Sequence, residues 1–152
     1  MRAPRRLLVG AGAAAALGAG AAAFLHLRGG LVRRLAPRPG ERLLGAGAAA
    51  GAIAAEVAER LWPGGELVLL DAPDSAADEA HARGLESVTL AGADAEFADG
   101  SFDGAYAIGA ADLAEVRRLV RPGGRVVVAD RSLRQAGEAA GLTGTRRGVF
   151  RA

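Results

Sequence analysis

The sequence predicts an α/β fold with a doubly wound, mostly parallel sheet, preceded by an N-terminal helix rich in alanine and glycine. From Arg42 onward, short apolar runs alternate with stretches of helical periodicity, and turns rich in glycine and proline separate them. Strands that alternate with helices are typical of a parallel sheet covered on both faces. Ligands of such sheets bind beyond the carboxyl ends of the strands, so the residues that follow each strand form the candidate site.

The composition is that of one folded domain without cysteine chemistry. The chain has 152 residues, of which 51% are hydrophobic, and its mean hydropathy of +0.18 disfavours intrinsic disorder. The absence of cysteine excludes disulfide frameworks, cysteine–zinc sites and cysteine nucleophiles. No metal site is predicted. The two histidines, His26 and His81, are expected to be structural or solvated, so no catalytic residue is assigned.

Positive charge is concentrated at the N-terminus. The formal net charge is +2, but residues 1–42 carry +7 and the remainder carries −5. We therefore predict a basic arm, 1–36, followed by a domain, 37–152, that begins at the turn-forming cluster 37–40. The arm holds a single aromatic residue, Phe24, whereas nucleic-acid surfaces interleave aromatic with basic side chains. No nucleic-acid partner is predicted.

The arm contains an uncharged run from 7 to 27, mostly alanine, glycine and leucine, that is long enough to cross a bilayer as a helix. Three interpretations stay open: a membrane anchor, a helix packed on the domain and a cleaved signal peptide. The predicted location is the cytoplasm, either free or anchored to a membrane through 7–27. Gly10 and Gly12 fit a loose dinucleotide-binding pattern, but the acidic residue that such a site needs does not follow.

The first half of the domain predicts two strands, each followed by a helix. The apolar run 42–46 predicts a strand that leads into a glycine-rich turn. Stretch 52–61 has apolar residues on one helical face, and 66–70 is typical of a buried strand. Stretch 75–83 predicts a helix with Ser75 as its N-cap, because a serine oxygen can accept from the free amides of the first turn.

The middle of the domain continues the alternation. Gly84 is expected to close the second helix, since helices commonly end at a glycine with positive φ. Runs 87–90 and 102–108 predict the third and fourth strands. Stretch 112–120 predicts a helix, with Asp112 as its N-cap.

The C-terminal part is compressed. The cluster 122–124, Pro-Gly-Gly, predicts a turn before a fifth strand at 125–129. Stretch 133–140 predicts a weak helix that Gly141 ends, and 145–150 predicts a last strand.

Four stretches of this domain, taken in order, resemble class I S-adenosylmethionine-dependent methyltransferases of the type 11 group. They are RPGERLLGAGAAAG at 38–51, GELVLLDAP at 65–73, VTLAGADAEFADGSFDGAYAI at 88–108 and LAEVRRLVRPGGRVVVAD at 113–130. The resemblance implies a Rossmann-like methyltransferase fold. Only twenty-two residues follow Asp130, so it also implies shortened C-terminal strands.

The resemblance implies that S-adenosylmethionine contacts six positions: Gly47, Gly51, Asp71, Ala72, Asp94 and Ala95. The two glycines match places where bare backbone lets the cofactor approach. Asp71 matches the acid that accepts from both ribose hydroxyls, and a carboxylate has two oxygens for a diol. Asp94 and Ala95 match the pair that contacts the adenine.

Two positions depart from the family pattern. Gly45 stands where the family has an acidic residue that helps to position the methionine end of the cofactor. Ala49 replaces the middle glycine of the turn, and its methyl group could crowd the cofactor or strain the backbone.

The favoured hypothesis is a methyltransferase that acts on an unidentified acceptor, with a small molecule favoured over a macromolecule. Methyl transfer depends heavily on positioning and need not use a general base. One alternative is a methyltransferase-like binding or scaffold protein without activity, which the changes at Gly45 and Ala49 motivate. The other is a nicotinamide-dependent oxidoreductase, which the spacing of the first motif disfavours.

Overall fold

The computed structural model of the protein describes residues 27–92, 94–129, 131–144 and 148–152, and only the backbone of 131–133. The predicted span 7–27 therefore lies almost wholly outside the described residues. In the described ranges, no helix combines the length and the apolar character needed to cross a membrane.

Seven strands form one sheet in the order β3-β2-β1-β4-β5-β7-β6. The strands are β1 Arg42–Ala46, β2 Glu66–Leu70, β3 Val88–Ala91, β4 Phe102–Ala107, β5 Val120–Val128, β6 Thr143–Gly144 and β7 Val149–Arg151. Strands β1 to β5 pair in parallel, whereas β7 is antiparallel to both β5 and β6. The strand order reverses between β1 and β4, so the predicted mostly parallel, doubly wound sheet is confirmed.

Helices cover both faces of this sheet. They are α1, described over 27–35, a 3-10 turn at Ala50–Ile53 that runs into α2 Ala54–Leu61, α3 Ser75–Ala82, α4 Leu113–Leu119 and α5 Arg131–Ala139. One layer of core lies under α1, α2 and α3, and the other lies under α4. Helix α5 meets the second layer where Gly137 lies against the ring of Phe150. Leu31, Val32 and Leu35 of α1 are buried in the first layer, so the described end of the arm packs on the sheet.

The helix caps were partly predicted. Asp112 caps α4, because its Oδ1 accepts from the amides of Ala114 at 3.0 Å and Glu115 at 3.1 Å. The prediction that Ser75 caps α3 is wrong. Ser75 is already helical, and the preceding Asp74 has helical angles and makes no side-chain cap bond, so the helix begins without a side-chain cap.

The predicted turn at 122–124 lies inside β5, which runs from Val120 to Val128. Phe102 pairs with Val120, but Gly104 pairs with Arg125, so the intervening residues bulge out of the ladder. A bulge keeps a strand continuous while adding residues on one side. The prediction of a turn that precedes the strand is therefore wrong: the strand begins five residues earlier than predicted, at Val120, and residues 122–124 lie in its bulge.

The C-terminal segment supplies two short strands instead of one. β6 and β7 form an antiparallel hairpin, and β7 adds to the sheet beside β5. Phe150 of β7 is buried among residues of α4 and β5. The shortened C-terminal strands that the family resemblance implied are confirmed, and they still close this side of the core.

Candidate functional site

A cavity of about 260 Å³ opens at the carboxyl edge of the sheet, where β1, β2 and β4 end. We call it the carboxyl-edge cavity; its lining includes Gly47, Asp71, Ala95, Asp112 and Glu115. Three of these five residues are sequence-predicted cofactor contacts that lie up to 48 positions apart in the chain. The parallel topology brings them together, because successive strands end at the same edge.

Gly47 follows β1 in a conformation that excludes a side chain. Its φ is +94°, and a Cβ built on it would lie 2.5 Å from the carbonyl oxygen of Ile108 and 2.8 Å from that of Ala110. L-residues rarely adopt such a φ, and backbone oxygens cannot give way cheaply. The loop after β4, which Gly47 contacts directly, therefore requires a glycine at this position whether or not a ligand is bound.

Asp71 follows β2 and presents a free carboxylate. Its φ of +57° is in the left-handed region, where aspartate is more tolerated than most L-residues. Its amide donates to the carbonyl of Ala91 at 3.1 Å, which ties it to the neighbouring strand. The side chain is exposed and makes no hydrogen bond or ion pair with any residue that the structure describes. Both carboxylate oxygens are therefore available to a ligand in the cavity.

Of the predicted contacts Ala72, Asp94 and Ala95, one lines this cavity and two do not. Ala95 lines it, and its amide donates to the carbonyl of Gly92 at 3.0 Å. Asp94 is exposed, and neither it nor Ala72 is in the cavity lining; Ala72 packs against the core layer under α2. The roles of Asp94 and Ala72 as cofactor contacts stay predictions.

Gly51 is explained by helix packing. A Cβ at Gly51 would lie 2.4 Å from the Cβ of Ala76 in α3, closer than two carbons can approach. Gly51 therefore allows the 3-10 turn to rest against α3. A role in admitting the cofactor, which the resemblance implied, is not needed to account for this glycine.

The two departures from the family pattern fit the backbone. Ala49 has φ −105° and ψ 11°, which an alanine adopts without strain. At Gly45, a Cβ would lie 2.6 Å from the Oη of Tyr106 and 2.7 Å from Leu69. The side chains of the two neighbouring strands thus fill the space in which a residue at 45 would place its carboxylate.

Two acids of the cavity wall were not predicted as site residues. Asp112 was predicted only as a helix cap, and Glu115 follows it by one helical turn. Glu115 accepts from Arg118 at both oxygens, at 2.6 and 2.8 Å, and this hydrogen bonding lowers the pKa of Glu115. A helical spacing of three residues could have suggested the Glu115–Arg118 pair. That the pair borders a cavity depends on the loop that packs opposite it.

Arg118 also fastens that opposite loop. Its guanidinium donates to the carbonyl of Phe97 at 3.1 Å and pairs with the carboxylate of Asp99. The loop between β3 and β4, which carries Ala95, is therefore tied to α4, which carries Glu115. In the described ranges, no group of three acidic or histidine side chains is arranged to hold a metal ion.

Neither Asp103 nor His81 takes part in the cavity. Asp103 accepts from the amide of Arg42 at 2.9 Å and pairs with Arg121 at 3.0 Å, at the opposite edge of the sheet. The ring of His81 lies 3.1 Å from the carbonyl of Val88, as expected of a structural histidine.

Comparison with known proteins gives one curated relative and many solved structures. No protein-family model matches the chain. Nocamycin O-methyltransferase of Saccharothrix syringae is 40% identical over 105 residues, a match that covers 59% of this chain and 38% of the relative. The chain thus spans well under half the length of that relative.

Two solved structures show how far the fold agrees. A SAM-dependent methyltransferase from Aquifex aeolicus superposes with a TM-score of 0.61 at 15% identity, over 81% of this chain and 86% of that one. The YcgJ protein from Bacillus subtilis superposes with a TM-score of 0.53 at 25% identity, over 68% of this chain and 49% of that one. The sheet and its helices are therefore those of a known α/β architecture.

Proposed function

Because the chain has the fold of class I S-adenosylmethionine-dependent methyltransferases, we propose that it is a methyltransferase domain that binds S-adenosylmethionine at the carboxyl-edge cavity. The observation that carries this proposal is the convergence of Gly47, Asp71 and Ala95 on one cavity where the strand order reverses. Ligands of open α/β sheets bind at such a point. The relative named as an O-methyltransferase supports the same activity.

The residues of the cavity fit this cofactor chemically. Asp71 offers two free oxygens to a vicinal diol such as that of a ribose. Asp71 and Asp112 bring negative charge to the cavity, whereas the charge of Glu115 is paired with Arg118. Negative charge there suits a ligand that carries a positive charge. When bound, S-adenosylmethionine supplies a methyl group activated by a positively charged sulfur.

The chain's own contribution to the reaction is to bind and orient the reactants. The loop between β3 and β4 is fastened by Arg118, and the loop after β4 is packed on Gly47. Fixed walls of this kind hold reactants in an attack geometry, which alone can supply a large part of the rate enhancement. A general base among the cavity residues is not required by this mechanism.

We propose a small molecule with a hydroxyl group as the acceptor. The support is the name of the curated relative, nocamycin O-methyltransferase, which indicates transfer to an oxygen atom. Incubation of the protein with S-adenosylmethionine labelled in its methyl group and a panel of small alcohols, phenols and amines tests this. Label should pass to a hydroxyl compound; label found only in amines or in added protein would contradict the proposed acceptor.

The cofactor site is tested by removing the Asp71 carboxylate. Asp71→Ala should weaken S-adenosylmethionine binding by about 1–3 kcal/mol, because two ribose hydroxyls lose their partner. Isothermal titration calorimetry measures the change. Asp74→Ala is the matched control: it removes the same charge from an exposed residue outside the cavity and should leave the affinity unchanged. Unmeasurable binding by the unmodified protein at millimolar cofactor, or equal binding by Asp71→Ala, would contradict the proposal.

A further inference from the structure

Tyr106 is the one tyrosine of the sequence, and its side chain is fully buried. It lies on β4 directly beside Gly45 of β1. The missing side chain at Gly45 makes room for the tyrosine, since a Cβ there would lie 2.6 Å from the hydroxyl oxygen and 2.7 Å from Cζ. The ring therefore reaches across β1 toward the turn that follows that strand.

The hydroxyl of Tyr106 meets the backbone of this turn. It donates to the carbonyl oxygen of Ala50 at 2.8 Å. Ala50 in turn donates its amide to the carbonyl of Gly47 at 2.9 Å, and Ala49 donates its amide to the carbonyl of Ile108 at 3.2 Å. One buried side chain thus fixes the far end of the turn 47–51, and the loop after β4 fixes its near end.

We propose that Tyr106 is a positioning residue, whose hydroxyl holds the turn 47–51 in the shape that binds the cofactor. The inference rests on the proposed function, because it assumes that the cofactor binds in the carboxyl-edge cavity. Gly47, at one end of the turn, lines that cavity, whereas Ala50, which the hydroxyl contacts, does not. Tyr106 acts on the site only through the backbone. A side chain that merely filled the core would need no hydroxyl at this place, where phenylalanine would occupy the same volume.

The hydroxyl is suited to this task because it stays protonated. Burial raises the pKa of Tyr106 far above its ordinary value of 10.0, so the group remains a neutral donor over the whole physiological range. An acid on β1 at position 45 would have to be held in this same space. In this chain the tyrosine on the neighbouring strand occupies that space, because residue 45 is a glycine.

The size of the effect follows from the population of the binding shape. Apparent affinity falls in proportion to the fraction of molecules in the competent conformation. Tyr106→Phe keeps the ring and removes only the donor, so we expect the turn to sample other shapes and S-adenosylmethionine to bind about tenfold more weakly. A tenfold change corresponds to about 1.4 kcal/mol.

The experiment compares Tyr106→Phe with Val88→Ala by calorimetric titration of S-adenosylmethionine and by thermal unfolding. Val88 is buried at the start of β3, away from the cavity, so its truncation lowers stability without touching the turn. We expect weaker binding in Tyr106→Phe alone. Binding by Tyr106→Phe within twofold of the unmodified protein, or an equal loss in Val88→Ala, would overturn the proposal.

Hydrogen exchange of the free protein separates this proposal from the proposed function. Tyr106→Phe should speed exchange at the amide of Ala50, which donates to Gly47 within the turn, and at that of Ala49, which donates to Ile108 in the loop after β4; Val88→Ala should not. Unchanged exchange at both amides would overturn the proposal that the Tyr106 hydroxyl fixes the turn. If the unmodified protein does not bind S-adenosylmethionine, the proposed function fails by itself, and faster exchange would still support the hold on the turn.

A second variant keeps the test open should Tyr106→Phe unfold. Gly45→Ala presses on the tyrosine hydroxyl from β1. It should weaken cofactor binding and speed exchange at Ala50 in the same direction. An intact affinity in Gly45→Ala, with the fold preserved, would overturn the proposal.

Discussion

Tyr106 shows at the scale of one residue how a polar group is tolerated in this core. Its ring is fully buried between core residues, and its one polar atom has a hydrogen-bond acceptor at 2.8 Å. Leaving such a group without a partner would cost about 1–3 kcal/mol. The residue is therefore stable only in its neutral, hydrogen-bonded form, which gives the protein a distinctive response to alkali.

Stability should fall at high pH because of this one phenol. In the unfolded chain Tyr106 ionises around its ordinary pKa of 10.0, whereas burial raises the folded-state pKa well above that value. The stabilisation is thus complete below pH 10.0 and is lost as the pH rises beyond it. We expect no phenolate absorbance from the native protein in that range until it unfolds.

The measurement is an alkaline titration followed by ultraviolet absorbance, with urea unfolding at each pH. Tyr106→Phe is the control, since it has no phenol and should lose less stability over the same pH range. A phenolate signal from folded protein with a midpoint near pH 10.0 would show that the hydroxyl is accessible and would contradict the expectation.

At the scale of elements, the contact between the 3-10 turn and α3 sets how closely the helices of one face pack. Gly51 and Ala76 meet there with no room for a further carbon. α3 is short and begins without a side-chain cap, so packing rather than local bonding holds it in place. A small change at this contact should therefore be felt as a loss of stability of the whole domain.

Gly51→Ala should destabilise the protein by about 1–3 kcal/mol, the usual cost of inserting a carbon into a packed contact. Ala76→Gly should cost about 1 kcal/mol through its helix propensity. The double variant should lose less than the two single losses combined, because removing the Ala76 methyl makes room for the new one. Urea unfolding measures all three.

Gly29→Ala is the matched control for this cycle. Gly29 is helical, and a Cβ built on it meets nothing within 4 Å, so alanine should be neutral or slightly stabilising there. Strict additivity of Gly51→Ala and Ala76→Gly would show that the two residues are not in the tight contact described.

At the scale of the molecule, Arg125 of β5 joins the end of α1 to the sheet. Its guanidinium donates to the backbone carbonyls of Leu35 and Ala36 and pairs with both carboxylate oxygens of Glu41. The side chains of Arg125 and Glu41 are only 15% and 14% exposed, so this pair is largely shielded from water. The described end of the arm is thus bound to a strand that lies about 90 positions later in the chain.

Arg125→Leu should destabilise the protein by about 2–4 kcal/mol, because it leaves the Glu41 charge and two carbonyls without their partner in a partly buried place. Residues 27–35 should also become a better substrate for limited trypsin digestion, at Arg33 and Arg34. Urea unfolding and mass spectrometry of the digests measure the two effects.

Arg121→Leu is the matched control on the same strand. This substitution removes the same charge. Arg121 pairs with Asp103 at a more exposed site, where an ion pair contributes at most about 1 kcal/mol. Equal losses in the two variants would contradict a special role for Arg125.

Local patterns in the sequence determined most of the strands and helices between 42 and 119 and their order. The strands at 42–46 and 66–70 were predicted to the residue, because an apolar run bounded by turn residues depends only on its own neighbours. Asp112 was identified as a cap for the same reason. The parallel order of strands then placed Gly47 and Asp71 at one edge, where the structure has the cavity that both residues line.

The tertiary structure decided which atoms occupy each space. That Tyr106 fills the place beside Gly45, and that Ala76 accounts for Gly51, depends on side chains from elements 25 or more positions away in the chain. The bulge in β5 and the position of Glu115 in the cavity wall likewise depend on contacts between elements that are distant in the chain. Periodicity reports which face of an element is buried, but only packing between elements determines what that face meets.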